Sequence, residues 1–333
     1  MEKSFKGILV SQVSDGFEAK VTELSTALLP KNDVLIKVHY SSLNYKDALS
    51  AAGNRGVTRN FPHVPGIDAS GEVVTSNSEL FRAGDQVIVT GFDLGMNTWG
   101  GFGAYITVPA NWIIKLPAGL SLNEAMCYGT AGLTAALSVK QILDSGIQPE
   151  MGKIAVSGAM GGVGSIATAI LSKLGFEVTA ISGRAQNLYL TKTLGAKETI
   201  SREEFIQTYD AKPISSTTFI AGIDTVGGKV LSGMIKSATY GSRVTCCGNV
   251  ASPSLETSIF PFILRGVQLI GVDSVQAPIS LREKIWHLLS SEWKPENLID
   301  LAQKISLDQV PDKLELMRNG NANGRYLLVH ENI

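Results

Sequence analysis

Hydrophobic residues in the first third of the chain occur in short runs that glycine, proline and asparagine separate. Most residues in these runs are β-branched or aromatic, and such runs predict strands bounded by turns. The predicted strands are Val34–Val38, Gly71–Val74, Gln86–Thr90 and Ala104–Val108. Residues 1 to about 125 are therefore predicted to form a β-rich domain.

The pattern changes at about residue 126, where strand-like and helix-like segments begin to alternate. Small and apolar residues recur at helical spacing over Glu124–Leu143. The alternation that follows predicts a doubly wound parallel sheet. Its predicted strands are Lys153–Ser157, Glu177–Ser182, Thr199–Ile200, Ala221–Asp224, Ser242–Cys247 and Val267–Val272, and its predicted helices are Gly162–Leu174, Gln186–Leu194 and Lys229–Ala238.

The end of the chain changes pattern again. Residues 280–317 have helical spacing, and residues 324–330 predict a final strand that we expect to return to the first domain. The predicted fold class is α/β. It has a β-rich domain at residues 1–125, completed by about residues 295–333, and a parallel-sheet domain at residues 126–294.

Composition supports this organisation and narrows the set of partners. The chain has 333 residues, enough for two domains, and its net charge of −1 gives no basic surplus to attract nucleic acid or an anionic membrane. We find no apolar run long enough to cross a bilayer and no apolar core of a signal peptide near the N-terminus. The three cysteines form no metal-finger or disulfide pattern and suit a reducing cytoplasm.

The stretch Ser157–Gly164, SGAMGGVG, lies between a predicted strand and a predicted helix. A dinucleotide loop needs glycines for the tight turn, for the approach of backbone N–H groups to a pyrophosphate, and for close packing of helix on strand. The helix N-terminus then offers N–H donors and a positive dipole end. This context favours nucleotide binding, and a tight turn with a purely structural role is the alternative.

The end of the next predicted strand bears on the choice of cofactor. An NAD site usually has a carboxylate there for the ribose hydroxyl, whereas this chain has Ser182-Gly183-Arg184. A hydroxyl and a guanidinium suit a 2′-phosphate, so we predict NADPH. The alternative is that Arg184 is a surface residue in a turn.

Several further motifs extend over nearly the whole chain: Ser41–Asp47, Val64–Asp68, Gly129–Gly132, Pro261–Arg265 and Gly271–Ser274. With the glycine loop, they resemble the medium-chain dehydrogenase/reductase superfamily, its zinc-free quinone oxidoreductase branch and, within that branch, the acrylyl-CoA reductase subgroup. The resemblance implies a GroES-like catalytic domain interrupted by a Rossmann domain, with the active site in the cleft between them. It also implies a homodimer.

Zinc members of this superfamily hold their catalytic metal with cysteine and histidine. Asn44 stands at the first cysteine position and Ile67 at the histidine position. Cys127 remains at the third, and one thiol without partners does not hold zinc. We therefore predict no metal and expect Cys127 to be a packed small side chain.

The resemblance also implies roles for individual residues. Asn44 and Tyr45 are expected catalytic hydrogen-bond donors near the nicotinamide and the substrate, and Asp47 is expected to orient their loop. The alternative for all three is a structural network in the loop. The expected cofactor-binding residues are Tyr45, Thr130, Met160, Gly161, Gly162, Val163, Ser182, Gly183, Arg184, Arg202, Asn249, Ile263, Ser274 and Asn319. Of these, Asn249 could contribute only its backbone, and Arg202 and Asn319 could be plain surface residues.

The function that the resemblance implies is NADPH-dependent reduction of the C=C bond of acrylyl-CoA, an enoyl-CoA thioester, to propionyl-CoA. Hydride goes to the β-carbon and charge collects on the thioester oxygen, so no metal is required. Two alternatives stay open. One is a quinone or enone oxidoreductase that uses NADPH, and the other is a non-catalytic NADPH-binding protein.

Overall fold

The described residues of the computed structural model, 2–183, 188–322 and 324–330, divide between two structural units. The first unit comprises Met1–Thr130, Val275–Ser290 and Leu298–Ile333, and the second comprises Ala131–Ser274 and Ser291–Asn297. The chain therefore leaves the first unit at Thr130, and the second unit is inserted within it.

The strands are β1 (Ser4–Val13), β2 (Gly16–Ser25), β3 (Val34–Ser42), β4 (Asp68–Ser76), β5 (Gln86–Thr90), β6 (Tyr105–Val108), β7 (Ile113–Lys115), β8 (Lys153–Ser157), β9 (Glu177–Ser182), β10 (Glu198–Ser201), β11 (Phe219–Asp224), β12 (Ala238–Cys246), β13 (Gln268–Gly271), β14 (Ala302–Ile305) and β15 (Arg325–Val329). The α-helices are α1 (Tyr45–Ala51), α2 (Leu122–Leu143), α3 (Gly162–Lys173), α4 (Arg202–Tyr209), α5 (Gly228–Ser237), α6 (Phe260–Arg265), α7 (Ile279–Leu289) and α8 (Val310–Arg318).

The first unit is built on antiparallel sheet. Strands β1 and β2 form a hairpin, and a second sheet has the order β14-β15-β3-β4-β5-β7, with β6 paired to β3. The four strands predicted in this part of the chain are confirmed as β3 to β6, and β3 and β4 extend further than predicted. The final strand returns to this unit as predicted, because β15 pairs with β3.

The prediction that residues 280–317 are helical throughout is wrong at Ala302–Ile305. These four residues form β14, which pairs in parallel with β15. Four residues are too few for periodicity to separate a strand from a helix, and pairing with a distant strand decides the conformation.

The second unit contains the predicted parallel sheet. Its strand order is β10-β9-β8-β11-β12-β13, and every described pairing within it is parallel. Numbered within the unit, this is the order 3-2-1-4-5-6 of a doubly wound dinucleotide-binding sheet. Buried apolar residues such as Ala155, Phe219 and Met234 form its core. The predicted doubly wound parallel sheet is therefore confirmed.

The division between the units differs from the predicted segment 126–294 at residues 275–290. Helix α7 belongs to the first unit, where Arg282 and Trp286 are fully buried. Arg282 donates to the carbonyl of Thr90 at 2.7 Å and to that of Val275 at 2.7 Å. Helical spacing does not reveal such long-range contacts. The prediction from the sequence therefore assigned α7 to the parallel-sheet domain.

Helix α2 is not continuous, because Gly129 within it has φ 52° and ψ −154°. The first of the three segments of the first unit ends one residue later, at Thr130. Within the described part of the chain, no helix combines the length and apolar character needed to cross a membrane.

Candidate functional site

The loop before α1 is fixed by a buried carboxylate. Asn44 precedes the helix, and its backbone N–H donates to Asp47 Oδ2 at 2.8 Å. Asp47 Oδ1 accepts from the backbone N–H groups of Gly66 at 3.1 Å and Ile67 at 2.9 Å. Asp47 is fully buried, so its carboxylate ties the start of α1 to the segment before β4. The role expected for Asp47 in orienting the catalytic loop stays a prediction.

Burial also changes the acidity of this group. Loss of water around the carboxylate, and after it the nearby charge of Asp68, raise the pKa of Asp47 to about 7. Three backbone hydrogen bonds act in the opposite direction and favour the charged form. Asp47 is therefore a carboxyl group that titrates near neutrality.

Asn44 was expected to donate a hydrogen bond towards the cofactor or substrate. Its Nδ2 donates instead to Asp68 Oδ2 at 2.7 Å and to the carbonyl of Ser42 at 3.2 Å. An amide has two N–H donors, and both are used within the first unit. The side chain of Asn44 therefore holds the loop in place and has no N–H left for a bound molecule.

Asp68 is the centre of this buried network. Besides Asn44, the hydroxyl of Ser42 donates to Asp68 Oδ2 at 2.5 Å. Thr130 donates from its backbone N–H to Oδ2 at 2.9 Å and from its hydroxyl to Oδ1 at 2.5 Å. One carboxylate thus joins β3, the α1 loop and the end of the first unit. Asp68 ends the motif Val64–Asp68, but the sequence alone predicted no role for it.

Arg325 supplies the positive charge in the same cluster. It is 3% exposed, and its guanidinium donates to Asn44 Oδ1 at 3.2 Å and to the carbonyls of Leu43, Cys127 and Tyr128 at 3.1–3.3 Å. Burial lowers its pKa, and the charge of Asp68 opposes that shift. Nothing in the sequence marked Arg325, because only the pairing of β15 with β3 brings it here.

Tyr45 is the exposed member of the expected catalytic set. It is the first residue of α1 and 41% exposed, next to the buried Asn44. Its phenol is a hydrogen-bond donor at the start of α1, whose backbone Asp47 and Asp68 hold in place through Asn44. This arrangement places one hydrogen-bond donor, on a fixed stretch of backbone, at the surface of the first unit.

The side chains at the zinc-ligand positions do not fit a zinc ion. Asn44 is committed to the network, Ile67 is a buried hydrocarbon, and Cys127 is fully buried. Burial raises the pKa of Cys127 to about 11, which disfavours the thiolate that zinc requires. Across residues 2–183, 188–322 and 324–330, no three His, Cys, Asp or Glu side chains are grouped to hold a metal.

The glycine loop of the second unit has the geometry that a dinucleotide requires. Gly158 directly follows β8 and has φ +57°, a left-handed value that only glycine adopts readily. A Cβ on Gly164 would lie 2.4 Å from the carbonyl oxygen of Gly158, so helix and loop pack without room for a side chain. Gly161 precedes α3, and Gly162 and Val163 open it. The N–H groups of this first turn have no partner within the helix and suit a pyrophosphate.

Two expected phosphate ligands lie at the end of β9. Ser182 closes the strand, and a Cβ on Gly183 would lie 2.7 Å from Nη2 of Arg202, so that guanidinium rests against Gly183. Arg202 is exposed and opens α4. Arg184 lies outside the described residues. The structure therefore brings a cation to the place where a 2′-phosphate was expected.

The remaining expected cofactor residues are dispersed. Ser274 is buried and accepts from the hydroxyl of Thr134 at 2.6 Å. Asn249 is exposed beyond β12, and Ile263 is 64% exposed on α6. Met160 is buried in the glycine loop, and Asn319 is exposed at the end of α8 in the first unit. Their roles stay predictions.

Family models match both parts of the chain. The model described as alcohol dehydrogenase GroES-like domain matches residues 30–118, and the one described as zinc-binding dehydrogenase matches residues 162–291. Together with the fold and full-length relatives, they show that the chain belongs to the medium-chain dehydrogenase/reductase superfamily.

Three relatives cover almost the whole chain. The probable acrylyl-CoA reductase AcuI of Escherichia coli is 41% identical, over 97% of this chain and 99% of its own. The putative quinone oxidoreductase YhfP of Bacillus subtilis is 40% identical, over 98% of this chain and 99% of its own. The YhfP structure with NAD bound has a TM-score of 0.94, over 98% of this chain and 100% of that chain. The YhdH oxidoreductase of Salmonella enterica, solved with NADP, is 40% identical, with a TM-score of 0.94 over 98% and 100%.

Proposed function

We propose that the chain catalyses the NADPH-dependent reduction of acrylyl-CoA to propionyl-CoA. The observation that carries the proposal is the exposed Tyr45 phenol on a loop fixed by buried Asp47 and Asp68. A hydrogen-bond donor on a fixed stretch of backbone is suited to an oxyanion that forms during reaction. The E. coli relative named as a probable acrylyl-CoA reductase supports the choice of substrate.

The reaction balances without a metal. NADPH, when bound, supplies the hydride that the β-carbon of the thioester receives. The electron pair of the C=C bond moves towards the thioester, whose oxygen becomes an enolate oxygen. As the enolate collapses, the α-carbon takes a proton from solvent, which gives propionyl-CoA and NADP⁺. We assign Tyr45 to donate to the enolate oxygen. Asn44 and Asp47 act through Tyr45 as positioning residues.

For the cofactor, we propose that Gly161, Gly162 and Val163 bind the pyrophosphate through backbone N–H groups. Ser182 and Arg202 would bind the 2′-phosphate, with Arg184 as a further ligand. Support comes from the guanidinium that lies against Gly183, and from the absence of a carboxylate in the last two residues of β9, Ile181 and Ser182. The NADP-bound Salmonella relative agrees with this choice.

A quinone reductase is the second candidate, because the B. subtilis relative carries that name and was solved with NAD. Loss of NADPH absorbance with acrylyl-CoA, crotonyl-CoA and a simple quinone separates the two, with NADH as the cofactor control. Turnover confined to acrylyl-CoA and NADPH supports the proposal. Turnover with the quinone alone would identify the protein as a quinone reductase.

We also propose a homodimer. Within the described residues, strand β13 pairs only with β12 and so forms one edge of its sheet. Just before β13 in the chain, Ile259, Phe260, Ile263 and Leu264 are 44–64% exposed, an apolar group of the kind that marks an interface. Light scattering should give a dimer that Leu264→Glu weakens, and a monomeric wild type would contradict this.

The proposal places the reaction in the cytoplasm. All three cysteines are free thiols, as suits a protein kept in a reducing compartment. Fractionation of the source cells should recover the activity with the cytoplasmic enzymes.

A further inference from the structure

An exposed arginine stacks on two aromatic rings in the first unit. The guanidinium carbon of Arg55 lies 5.5 Å from the ring centre of Phe17 and 5.1 Å from that of Phe61. The two rings are 4.6 Å apart and tilted by 51°. Arg59 lies four residues further along the chain and is also exposed. We call Phe17, Arg55, Arg59 and Phe61 the arginine–aromatic cluster.

The cluster is held rigidly by contacts that do not involve a ligand. Arg55 donates to Gln12 Oε1 at 3.1 Å and to the backbone carbonyl of Arg59. The backbone N–H of Arg59 donates to Asn97 Oδ1 at 3.1 Å. A Cβ on Gly53 would lie 2.0 Å from the Phe17 ring, so the loop packs directly on that ring. A rigid cationic and aromatic surface binds a ligand with little loss of conformational entropy.

The positive charge of the cluster is not neutralised by a neighbouring acid. Among ion pairs of the described residues, neither Arg55 nor Arg59 is paired with a carboxylate. Arg55 and Arg59 thus place two positive charges, neither in an ion pair with a described carboxylate, on one short exposed loop. Guanidinium groups bind phosphates through paired N–H donors and also stack on aromatic faces.

The cluster follows directly on the helix that carries Tyr45. Helix α1 has seven residues, so its ends are about 10 Å apart. The hydroxyls of Ser50 and Thr58 lie 2.6 Å apart and fasten the loop to the helix. A thioester of coenzyme A has its reacting acyl group at one end and a phosphorylated adenosine at the other, joined by a flexible arm. The loop that carries Arg55 and Arg59 thus follows in the chain on the helix that begins at Tyr45, and its chemistry suits the phosphorylated end of such a thioester.

We infer that the arginine–aromatic cluster binds the nucleotide end of coenzyme A, with the phosphates on Arg55 and Arg59 and with the Phe17 and Phe61 rings holding the Arg55 guanidinium in place. This inference rests on the proposed thioester function and names the part of the first unit that recognises its carrier. It also predicts a preference for the full coenzyme A thioester over a truncated one.

The test compares acrylyl-CoA with the acrylyl thioester of N-acetylcysteamine, which has the same reacting group but no nucleotide. In Arg55→Ala/Arg59→Ala, KM for acrylyl-CoA should rise on the order of a hundredfold, about tenfold for each charge-assisted contact. The double variant should reduce the truncated thioester with the same KM as the wild type. Arg82→Ala removes an exposed arginine of the same unit and should leave KM unchanged for both thioesters.

Arg59→Ala alone guards against damage to the fold, because Arg59 holds the loop through its backbone. It should raise KM for acrylyl-CoA about tenfold and weaken the dependence of KM on salt. An unchanged KM, or an equal loss with both thioesters, overturns the inference. If the wild type reduces no thioester, the proposed function fails, and calorimetry with free coenzyme A decides the inference. Binding that Arg59→Ala weakens supports it, and no binding to the wild type overturns it.

Discussion

Asp68 accepts two hydrogen bonds from Thr130, one from the backbone N–H at 2.9 Å and one from the hydroxyl at 2.5 Å. Thr130 is the residue at which the chain leaves the first unit. The same carboxylate accepts from Asn44 at the base of the Tyr45 loop. One buried side chain therefore fixes both the loop proposed for catalysis and a residue expected near the nicotinamide.

Replacing Asp68 by Asn should test this central position. The substitution removes the charge that faces buried Arg325 and puts an NH₂ group against the donors of Ser42 and Thr130. We expect a loss of about 3–5 kcal/mol in the free energy of unfolding, measured by urea denaturation, and a lower kcat in the folded protein. Asp144→Asn, at a half-exposed helical ion pair, should leave the denaturation midpoint unchanged. Equal effects of the two substitutions would contradict the role of Asp68.

Gly129 lies against the same network and leaves no room for a side chain. A Cβ there would lie 2.2 Å from Ser42 Oγ and 2.5 Å from Asp68 Oδ2, with φ at +52°. We expect Gly129→Ala to cost about 3 kcal/mol or more in thermal or urea unfolding. Gly84 also has a positive φ, +90°, but a methyl group added there would meet no atom within 4 Å, so Gly84→Ala should cost only about 1 kcal/mol. Similar losses in the free energy of unfolding for Gly129→Ala and Gly84→Ala would show that backbone strain alone matters and that crowding at Gly129 adds nothing.

The raised pKa of Asp47 predicts a pH-dependent stability. The folded state keeps a proton up to a pKa of about 7, whereas the unfolded chain releases it near 3.8. The folded state therefore binds more protons across this window, and the free energy of unfolding falls as the pH rises from about 4 to 7. Asp47→Asn cannot titrate and should show a weaker fall. Urea denaturation at a series of pH values measures both curves, and parallel curves would refute the assignment.

Arg202→Ala should distinguish the two nicotinamide cofactors. The guanidinium beside Gly183 is proposed to bind the 2′-phosphate, so its loss should weaken NADPH about tenfold or more and leave NADH nearly unchanged. Fluorescence titration with each cofactor gives the dissociation constants. Lys212→Ala removes an exposed cation of the same unit and serves as the matched control. Equal weakening of both cofactors by Arg202→Ala would argue against phosphate recognition.

The fold was largely predictable, because strand–helix alternation and the glycine loop are local patterns. Strand β8 and strand β9 occur with the bounds predicted, and Gly158 and Gly164 have the geometry their spacing indicated. The hairpin of β1 and β2 was not predicted, since its alternation is weak and much of β2 is exposed.

The candidate site was only partly predictable. The motif around Tyr45 indicated the loop, and Asp47 could be given an orienting role from its place in that motif. Arg325 could not be found, because it lies 281 residues from Asn44 and is brought there by strand pairing. The engagement of both Asn44 amide hydrogens likewise depends on Asp68, whose position only the folded chain defines.

The proposed reaction is tested most directly by following the hydride itself. Acrylyl-CoA is reduced with NADPH that carries deuterium at the transferable C4 position, and the product is analysed by mass spectrometry and NMR. We expect propionyl-CoA with one deuterium on the β-carbon. Unlabelled propionyl-CoA, label on the α-carbon, or no propionyl-CoA while a quinone is reduced, would contradict it.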